Sequence, residues 1–427
     1  MKTLLNKIIF IFKDQVLAKR VLFIFFIFLI YRMLAAIPIS VIDGSALKQF
    51  FETNQFFGFV NLFSGGGLSS LSIVMLGVMP YITASIIMQV MTLVVPKLKE
   101  MQQEGGDAGR KKIANISRYL SLPIAAVQSI GFLALLQQGG ALGHITTADK
   151  AFALLIAVAG TVLLMWLGEL ITEFGIGNGL SLIIFAGIVV SLPGTVTQIY
   201  QTFDMSNLAM YIGVFVIFVL MVYSIVYVTE AERPVVVHHA KASRAGQKAQ
   251  KIASTIPIKL NQAGVIPIIF AVSLITFPSM IFSFLQTVSG AAAGGWLEKA
   301  ANFSQDPWAY GIVYFFLVFF FTYFYTAVTF DPKRMAENLA KSGTYVPGVR
   351  PGEDTEKYLG DITTRVTFFG GLFLAVIAIL PIVIAQITGN QSLSVGGTSI
   401  LIVVSVAIDL IRKINAQISV REYVHSV

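Results

Sequence analysis

Stretches of roughly twenty mostly apolar residues recur along the chain, and no other feature limits its fold as severely. A helix of about that length is what crosses a hydrocarbon core about 30 Å thick. Such runs fall at residues 20–38, 73–95, 118–137, 151–172, 180–197, 209–228, 263–285, 309–329, 365–386 and 398–411. Composition agrees: 56% of the 427 residues are hydrophobic and 12% are charged, against about 25% charged in soluble domains. A soluble globule built this way would expose far more apolar surface than a monomer tolerates. The expectation is an all-α polytopic membrane protein with ten transmembrane helices.

The cationic residues set its orientation. Segments 1–20, 97–118, 233–259, 333–365 and 412–421 hold 26 of the 30 Lys and Arg. The alternate loops hold only Lys48, Lys150 and Lys299, and Arg32 lies inside the first span. Positive charge collects on the cytoplasmic side, so ten spans place both termini there. Residues 1–19 read as an interfacial amphipathic helix, with Leu5, Ile8, Ile9, Phe12 and Val16 on one face and lysines opposite. The first span resembles a signal peptide at its basic start, but no small-x-small cleavage site follows, so it reads as retained. Residues 412–427 form a cytoplasmic tail.

An internal echo divides the spans. Gly77-Val78-Met79-Pro80-Tyr81-Ile82 lies in span two and Gly264-Val265-Ile266-Pro267-Ile268-Ile269 in span seven. Each is the second span of a five-span half, 20–197 or 198–411. Five is odd, so the halves are inverted in the membrane, an architecture that places a pathway at their interface.

Chemistry is scarce. There is no cysteine, which removes thiolate nucleophiles, disulfides and Cys-ligated metals. The four histidines (His144, His238, His239, His425) form no HExxH pattern, and Gly105-Gly106-Asp107-Ala108-Gly109-Arg110-Lys111 lacks the spacing of a phosphate loop. Glu169, Glu173 and Asp409 lie near span ends, where interface placement explains them, and Gln89, Thr92, Gln128, Asn261 and Gln262 are available for bonds between helices. No cofactor, metal or catalytic group is expected.

Three polar segments stand out. Residues 61–72 are Gly- and Ser-rich and too polar to face lipid; they are either an outer loop or a segment buried in protein or lining a cavity. Loop 230–262 carries six basic residues, for which attraction to anionic membrane lipids is one reading. Loop 331–365 balances six basic with six acidic residues, which lipid attraction explains poorly and docking of a cytoplasmic protein or ribosomal RNA explains better. Within it, Pro347-Gly348 and Pro351-Gly352 bracket Arg350 on a protruding tip.

Taken together, residues 61–89, Gly175-Ile176-Gly177-Asn178-Gly179 with 184–188, Asn261-Gln262-Ala263-Gly264-Val265-Ile266-Pro267, 336–343, 347–352 and Gly396-Gly397-Thr398-Ser399 resemble the SecY/Sec61-alpha family nearly end to end. The resemblance implies the pore subunit of a bacterial plasma-membrane channel that moves unfolded preproteins across and releases transmembrane segments sideways into lipid. It implies a short re-entrant plug helix over Ser64, Gly65, Gly66, Gly67, Leu68, Ser69, Ser70, Leu71 and Ser72. It also implies a constricting ring of Ile82, Ile86, Ile184, Ile188, Ile266, Ile269 and Ile402, and polar contacts at a lateral gate from Thr92, Gln128 and Asn261. Motor or ribosome docking would fall on Arg233, Lys241, Arg244 and Arg350, in loops 230–262 and 331–364. The implied partners are the small membrane subunits SecE and SecG, the motor ATPase SecA, a ribosome with its nascent chain, preprotein signal sequences and membrane lipids. Where relatives often carry an Arg-Arg run after span six, this chain reads Glu232-Arg233-Pro234, which shifts the docking expectation toward Arg350.

A secondary transporter of a small solute is the competing class. It calls for charged or carbonyl ligands at the midplane, whereas the ring is apolar and the large loops face the cytoplasm. The cysteine-free background makes the topology directly measurable. A single Cys introduced at Ser342 should react only with cytoplasmic reagent, and one at Ser394 only from outside; equal accessibility of the two would refute ten spans.

Overall fold

A helix meets each of the ten apolar runs. The computed structural model describes residues 13–39, 61, 64–68, 70–103, 105–138, 146–201, 205, 208–239, 253–289, 306–389 and 392–426. The helix expected over residues 1–12 lies outside that set. In the first half the helices are α1 (Gln15–Ala36), α2 (Met79–Val94), α3 (Pro96–Gln103), α4 (Gly106–Gln138), α5 (Thr147–Phe174) and α6 (Gly179–Gln201). In the second they are α7 (Leu208–Glu230), α8 (Ile266–Ser289), α9 (Pro307–Thr329), α10 (Pro332–Lys341), α11 (Glu353–Thr388) and α12 (Ser392–Ser426). The short α3 and α10 are the two that match no apolar run.

Local sequence accounts for many of these boundaries. Asp14 accepts hydrogen bonds from the Val16 and Leu17 amides at the start of α1, and Thr146 with Asp149 closes a capping box on α5. Asp306-Pro307 and Asp331-Pro332 each join a capping carboxylate to a proline in the first turn, where the missing N–H costs nothing. Gly77 (φ 59°) and Gly264 (φ 62°) both adopt left-handed backbone two residues before α2 and α8 begin. The sequence echo is thus also a conformational one.

Among the described residues, five helical stretches are long and apolar enough to cross a bilayer alone, and α2 with α3 makes a sixth as a bent pair. The apolar parts of α6 and α8 are shorter, 179–194 and 266–278. Both helices contain a proline, Pro193 and Pro278. A helix shielded by other helices can be short and interrupted, because protein rather than lipid satisfies its surroundings.

Packing separates the helices into two groups. In one, α2 lies on α4, α4 on α5, and α5 on α6 and α1; in the other, α9 lies on α8 and α11, and α12 on α11 and α7. The groups meet along two seams, α2 and α4 against α8 on one side and α6 against α12 on the other. One large apolar cluster runs through both groups.

The two large loops are joined by a three-stranded sheet. Its order is β2 (Ala253–Lys259), β1 (Glu232–His239), β3 (Thr344–Tyr345), all antiparallel. Pro234 is tolerated in the central strand because β3 pairs only with His238 and His239 and leaves that edge of β1 open. Val235, Val237 and Ile258 point inward at the spacing of alternate strand residues and form a second core with Val346, Leu359, Ile362 and Val366. A Cβ on Gly370 of α11 would collide with the Leu260 carbonyl oxygen, so this platform is seated directly on α11.

Leu359 is fully buried at the centre of that core. Leu359→Ala should destabilise the platform by about 2–5 kcal/mol. Hydrogen exchange should speed up at the amides of β1 and β2 while the membrane helices keep their protection. Uniform loss of protection would show that platform and membrane core unfold as one unit.

Candidate functional site

Four helices carry the seven isoleucines of the expected ring: α2 Ile82 and Ile86, α6 Ile184 and Ile188, α8 Ile266 and Ile269, α12 Ile402. Spacings of three and four residues set each pair on one helix face. Six of the seven are buried and Ile266 is half-buried. All belong to the cluster that runs through both helix groups. The helices that bear them are those that meet at the seams, α2 with α8 and α6 with α12. Each group therefore contributes to the collar, and parting the groups would part the collar.

Beside the collar lies non-helical chain. The described residues from 64 to 78 form successive turns, not the helix expected over 64–72. Gly65, Gly66 and Leu71 have φ of 64°, 82° and 42°, which an α-helix does not accommodate. The turns are closed by their own bonds. The Ser64 hydroxyl donates to the Asn61 carbonyl and accepts from the Leu68 amide, both at 3.0 Å. The Ser72 amide donates to the Gly67 carbonyl at 2.8 Å. The segment is tied to the end of α1: the Ile39 amide donates to Leu71 at 2.9 Å, the Ile73 amide to Ile37 at 3.1 Å, and the Ser70 hydroxyl to Ala35 at 3.2 Å. Ser64, Leu68, Leu71, Ser72, Val74 and Met75 are fully buried or nearly so. Ser69 lies outside the described residues.

Glycine-to-backbone contacts hold these turns against the first helix group. A Cβ on Gly65 would collide with the Tyr31 hydroxyl of α1 and lie 3.0 Å from the Cα of Gly187 on α6. Gly187 adjoins Ile188 of the collar. A Cβ on Gly160 of α5 would collide with the Ile73 carbonyl oxygen. Tyr31, Gly160 and Gly187 escaped the sequence reading, since their requirement arises only where three distant segments converge.

The three polar gate candidates do not meet. Gln128 on α4 reaches Thr83 on α2 at 3.4 Å, within its own helix group. Thr92 donates to the Gln89 carbonyl one turn back, and Asn261 brackets the turn before α8 through the Gly264 amide and carbonyl. All three are buried close to the α2/α4–α8 seam or at its end. Each spends its hydrogen bonds on its own side.

A cavity of about 300 Å³ opens between the groups, walled by Asn178 and Ser181 at the start of α6, Asn261 and Ile266 at the start of α8, and Ser405 and Asp409 on α12. Apolar residues make up much of the wall, among them Ile266 of the expected ring. Charged residues border it as well, for Asp409, Arg412 and Lys413 of α12 all line the cavity. Arg118 pairs with Glu169 across α4 and α5, Arg412 with Glu230 across α12 and α7 at 3.0 Å, and Lys413 with Asp409 along α12 at 2.6 Å. Among the described residues no group of His, Asp and Glu is arranged to hold a metal ion.

Of the docking candidates, Arg350 is exposed on a tip anchored on both sides. Val346 is buried in the platform core, the Val349 amide donates back to the Val346 carbonyl, and the buried Thr355 hydroxyl donates to the Arg350 carbonyl at 2.8 Å. Arg233 is exposed on β1. Lys241 and Arg244 lie outside the described residues.

The SecY family model matches residues 72–411. The protein translocase subunit SecY of Streptomyces scabiei is 38% identical over 428 residues, covering 96% of this chain and 97% of the relative. A solved structure described as a protein conducting channel aligns with TM-score 0.66 at 20% identity, covering 92% of this chain and 91% of that one. Sec61 in a canine ribosome-channel complex aligns with TM-score 0.62 at 19% identity and the same coverage.

The Gly65 contact yields a test that separates packing from hydrogen bonding. The Tyr31 hydroxyl is buried without a hydrogen-bond partner among the described residues, so Tyr31→Phe should be neutral or slightly stabilising in thermal unfolding. Gly65→Ala meets both the ring and a left-handed backbone, and should destabilise by about 1–3 kcal/mol. Tyr31→Phe should recover part of that loss; strict additivity of the two changes would contradict the contact.

Proposed function

The chain belongs to the SecY family, and from that premise we propose how this geometry serves a protein-conducting channel. The protein is a multi-pass membrane protein and a channel subunit rather than an enzyme. The observation that carries the reading is the collar, seven isoleucines from four helices of both groups gathered in one apolar cluster beside a buried, turn-built segment.

A pore for polypeptides must pass every side chain and bind none. Carbonyls or charges would hold polar segments, whereas branched apolar side chains offer no strong partner and exclude water by dewetting. Isoleucine suits a seal because its χ1 is restricted. In the idle state residues 64–72 act as the plug, packed against α1, α5 and α6. Opening parts α2 and α4 from α8, while α6 and α12 serve as the hinge. Since Gln128, Thr92 and Asn261 bond within their own sides, that seam opens without breaking these bonds. Its newly exposed apolar faces meet lipid tails, which are as apolar as the faces themselves. A transmembrane segment can then leave sideways.

The distribution of Lys and Arg supports a bacterial plasma-membrane location with both termini cytoplasmic. The cavity at the starts of α6 and α8 then forms the entrance, and Arg350 presents the platform to SecA or a translating ribosome. SecE and SecG are the expected membrane partners. The transporter alternative is disfavoured, since among the described residues the ion pairs of the membrane helices each lie within one helix group and none joins the two groups.

Replacing Ile86, Ile188, Ile269 and Ile402 together with Ser should hydrate the constriction. Ion conductance of reconstituted bilayers should rise several-fold, and a reporter with a weakened signal sequence should be exported better. Conductance at the closed level, with defective signals still rejected, would reduce these residues to ordinary packing.

A further inference from the structure

At the junction of platform and membrane helices a cavity of about 320 Å³ is walled by Ala231, Glu232, Arg233, Leu260, Arg365, Val366 and Phe369. Two arginines line it, one from strand β1 and one from α11. Among the described residues neither the Arg233 nor the Arg365 side chain has an ion pair or a hydrogen bond, although one lies in β1 and the other in α11. Glu232 also lines the cavity, and its single carboxylate leaves the two arginines with a net positive charge there.

The remainder of the wall is apolar and continues into the membrane. Arg365, Phe369, Leu372 and Val376 are spaced 4, 3 and 4 residues apart, one face of α11. Phe369 is 63% exposed, Leu372 40% and Val376 44%. A stripe of lipid-facing side chains therefore leads straight to the two cations. Their relative position is rigid. Gly370, next to Phe369, takes the Leu260 carbonyl against its Cα, and the Leu260 amide donates to the Ala231 carbonyl at 2.9 Å, two residues before Arg233.

We propose that Arg233 and Arg365 hold the phosphate of one anionic phospholipid of the cytoplasmic leaflet, its acyl chains lying along Phe369, Leu372 and Val376. Paired guanidiniums match a phosphate diester, and the apolar stripe matches what is attached to it. A cytoplasmic protein or an RNA would satisfy the arginines and leave the stripe unused; a lipid satisfies both. This assigns to Arg233 a role other than docking. The inference rests on the membrane placement of α11 given above, and its readout is bound lipid rather than export, so its failure would leave the channel reading intact.

The test is native mass spectrometry of the full-length protein, with any co-purifying subunits, released from detergent and titrated with phosphatidylglycerol or phosphatidylcholine. Arg233→Gln and Arg365→Gln should each weaken the tightest phosphatidylglycerol about fivefold, as expected for one basic residue near a membrane surface, and the double variant should lose it. Phe369→Ser should weaken it too, which a purely surface-charge effect would not produce. Phosphatidylcholine retention, and the behaviour of Arg350→Gln, should not change. Undiminished phosphatidylglycerol in the double variant would overturn the proposal. So would displacement of the lipid by equimolar inorganic phosphate, which would mark a simple anion site. A double variant that keeps its lipid but loses ribosome binding would return both arginines to docking.

Discussion

Backbone N–H and C=O groups have no water to bond inside a bilayer, and each one left unpaired there costs several kcal/mol. Helices meet that demand internally; turns do not. The described residues of 64–78 are turns buried among apolar helices, and the first helix group is arranged around making them possible. Their amides and carbonyls are used by Ser64, by one another and by the end of α1. Glycine at 65, 160 and 187 lets neighbouring backbone come close enough to exclude lipid and water. The same rule bears on α6 and α8, whose apolar stretches are shorter and whose interiors hold a proline where neighbouring helices supply part of their surroundings.

The helices were legible in the sequence because run length and hydropathy are local properties; all ten runs became helices, with shifts mainly where glycine or proline intervened. Span two illustrates the shift. It was expected from residue 73, but Gly77 and the turns before it delay the helix to Met79. The three adjacent glycines of 65–67 carried a signal against a helix, and the left-handed φ at two of them shows what it meant. The collar was not legible from periodicity, since isoleucines on many other faces look the same. Only family resemblance selected these seven, and their shared burial arises from tertiary packing. The hydrogen bonds of Gln128, Thr92 and Asn261 were not legible either, since their partners Thr83, Gln89 and Gly264 are fixed by how helices and turns pack.

The cytoplasmic loops show what a single chain pass cannot reveal. Val235-Val236-Val237 is a strand-like run, but β3 has only two residues and exists because α10 and the Arg350 turn bring it beside His238 and His239. The result is one body with its own core, not two flexible attachments. Force applied at Arg350 passes through Val346, Val349 and Leu359 into α11, and α11 packs on both α9 and α12. A partner bound there grips a lever already joined to the second helix group.

The paired bonds between residues 37–39 and 71–73 have a mechanical meaning of their own. If they hold while the turns leave their seat, the free chain from Ser72 back to Ser64 is eight residues long, a leash of about 27 Å when fully extended. A segment so tethered cannot be lost to solution or exchanged with another copy. Its return is a loop-closing event at millimolar effective concentration, on a timescale of about 10–100 ns for chains this short. Resealing would then be limited by how quickly the translocating chain clears the collar, not by any search for the missing stopper.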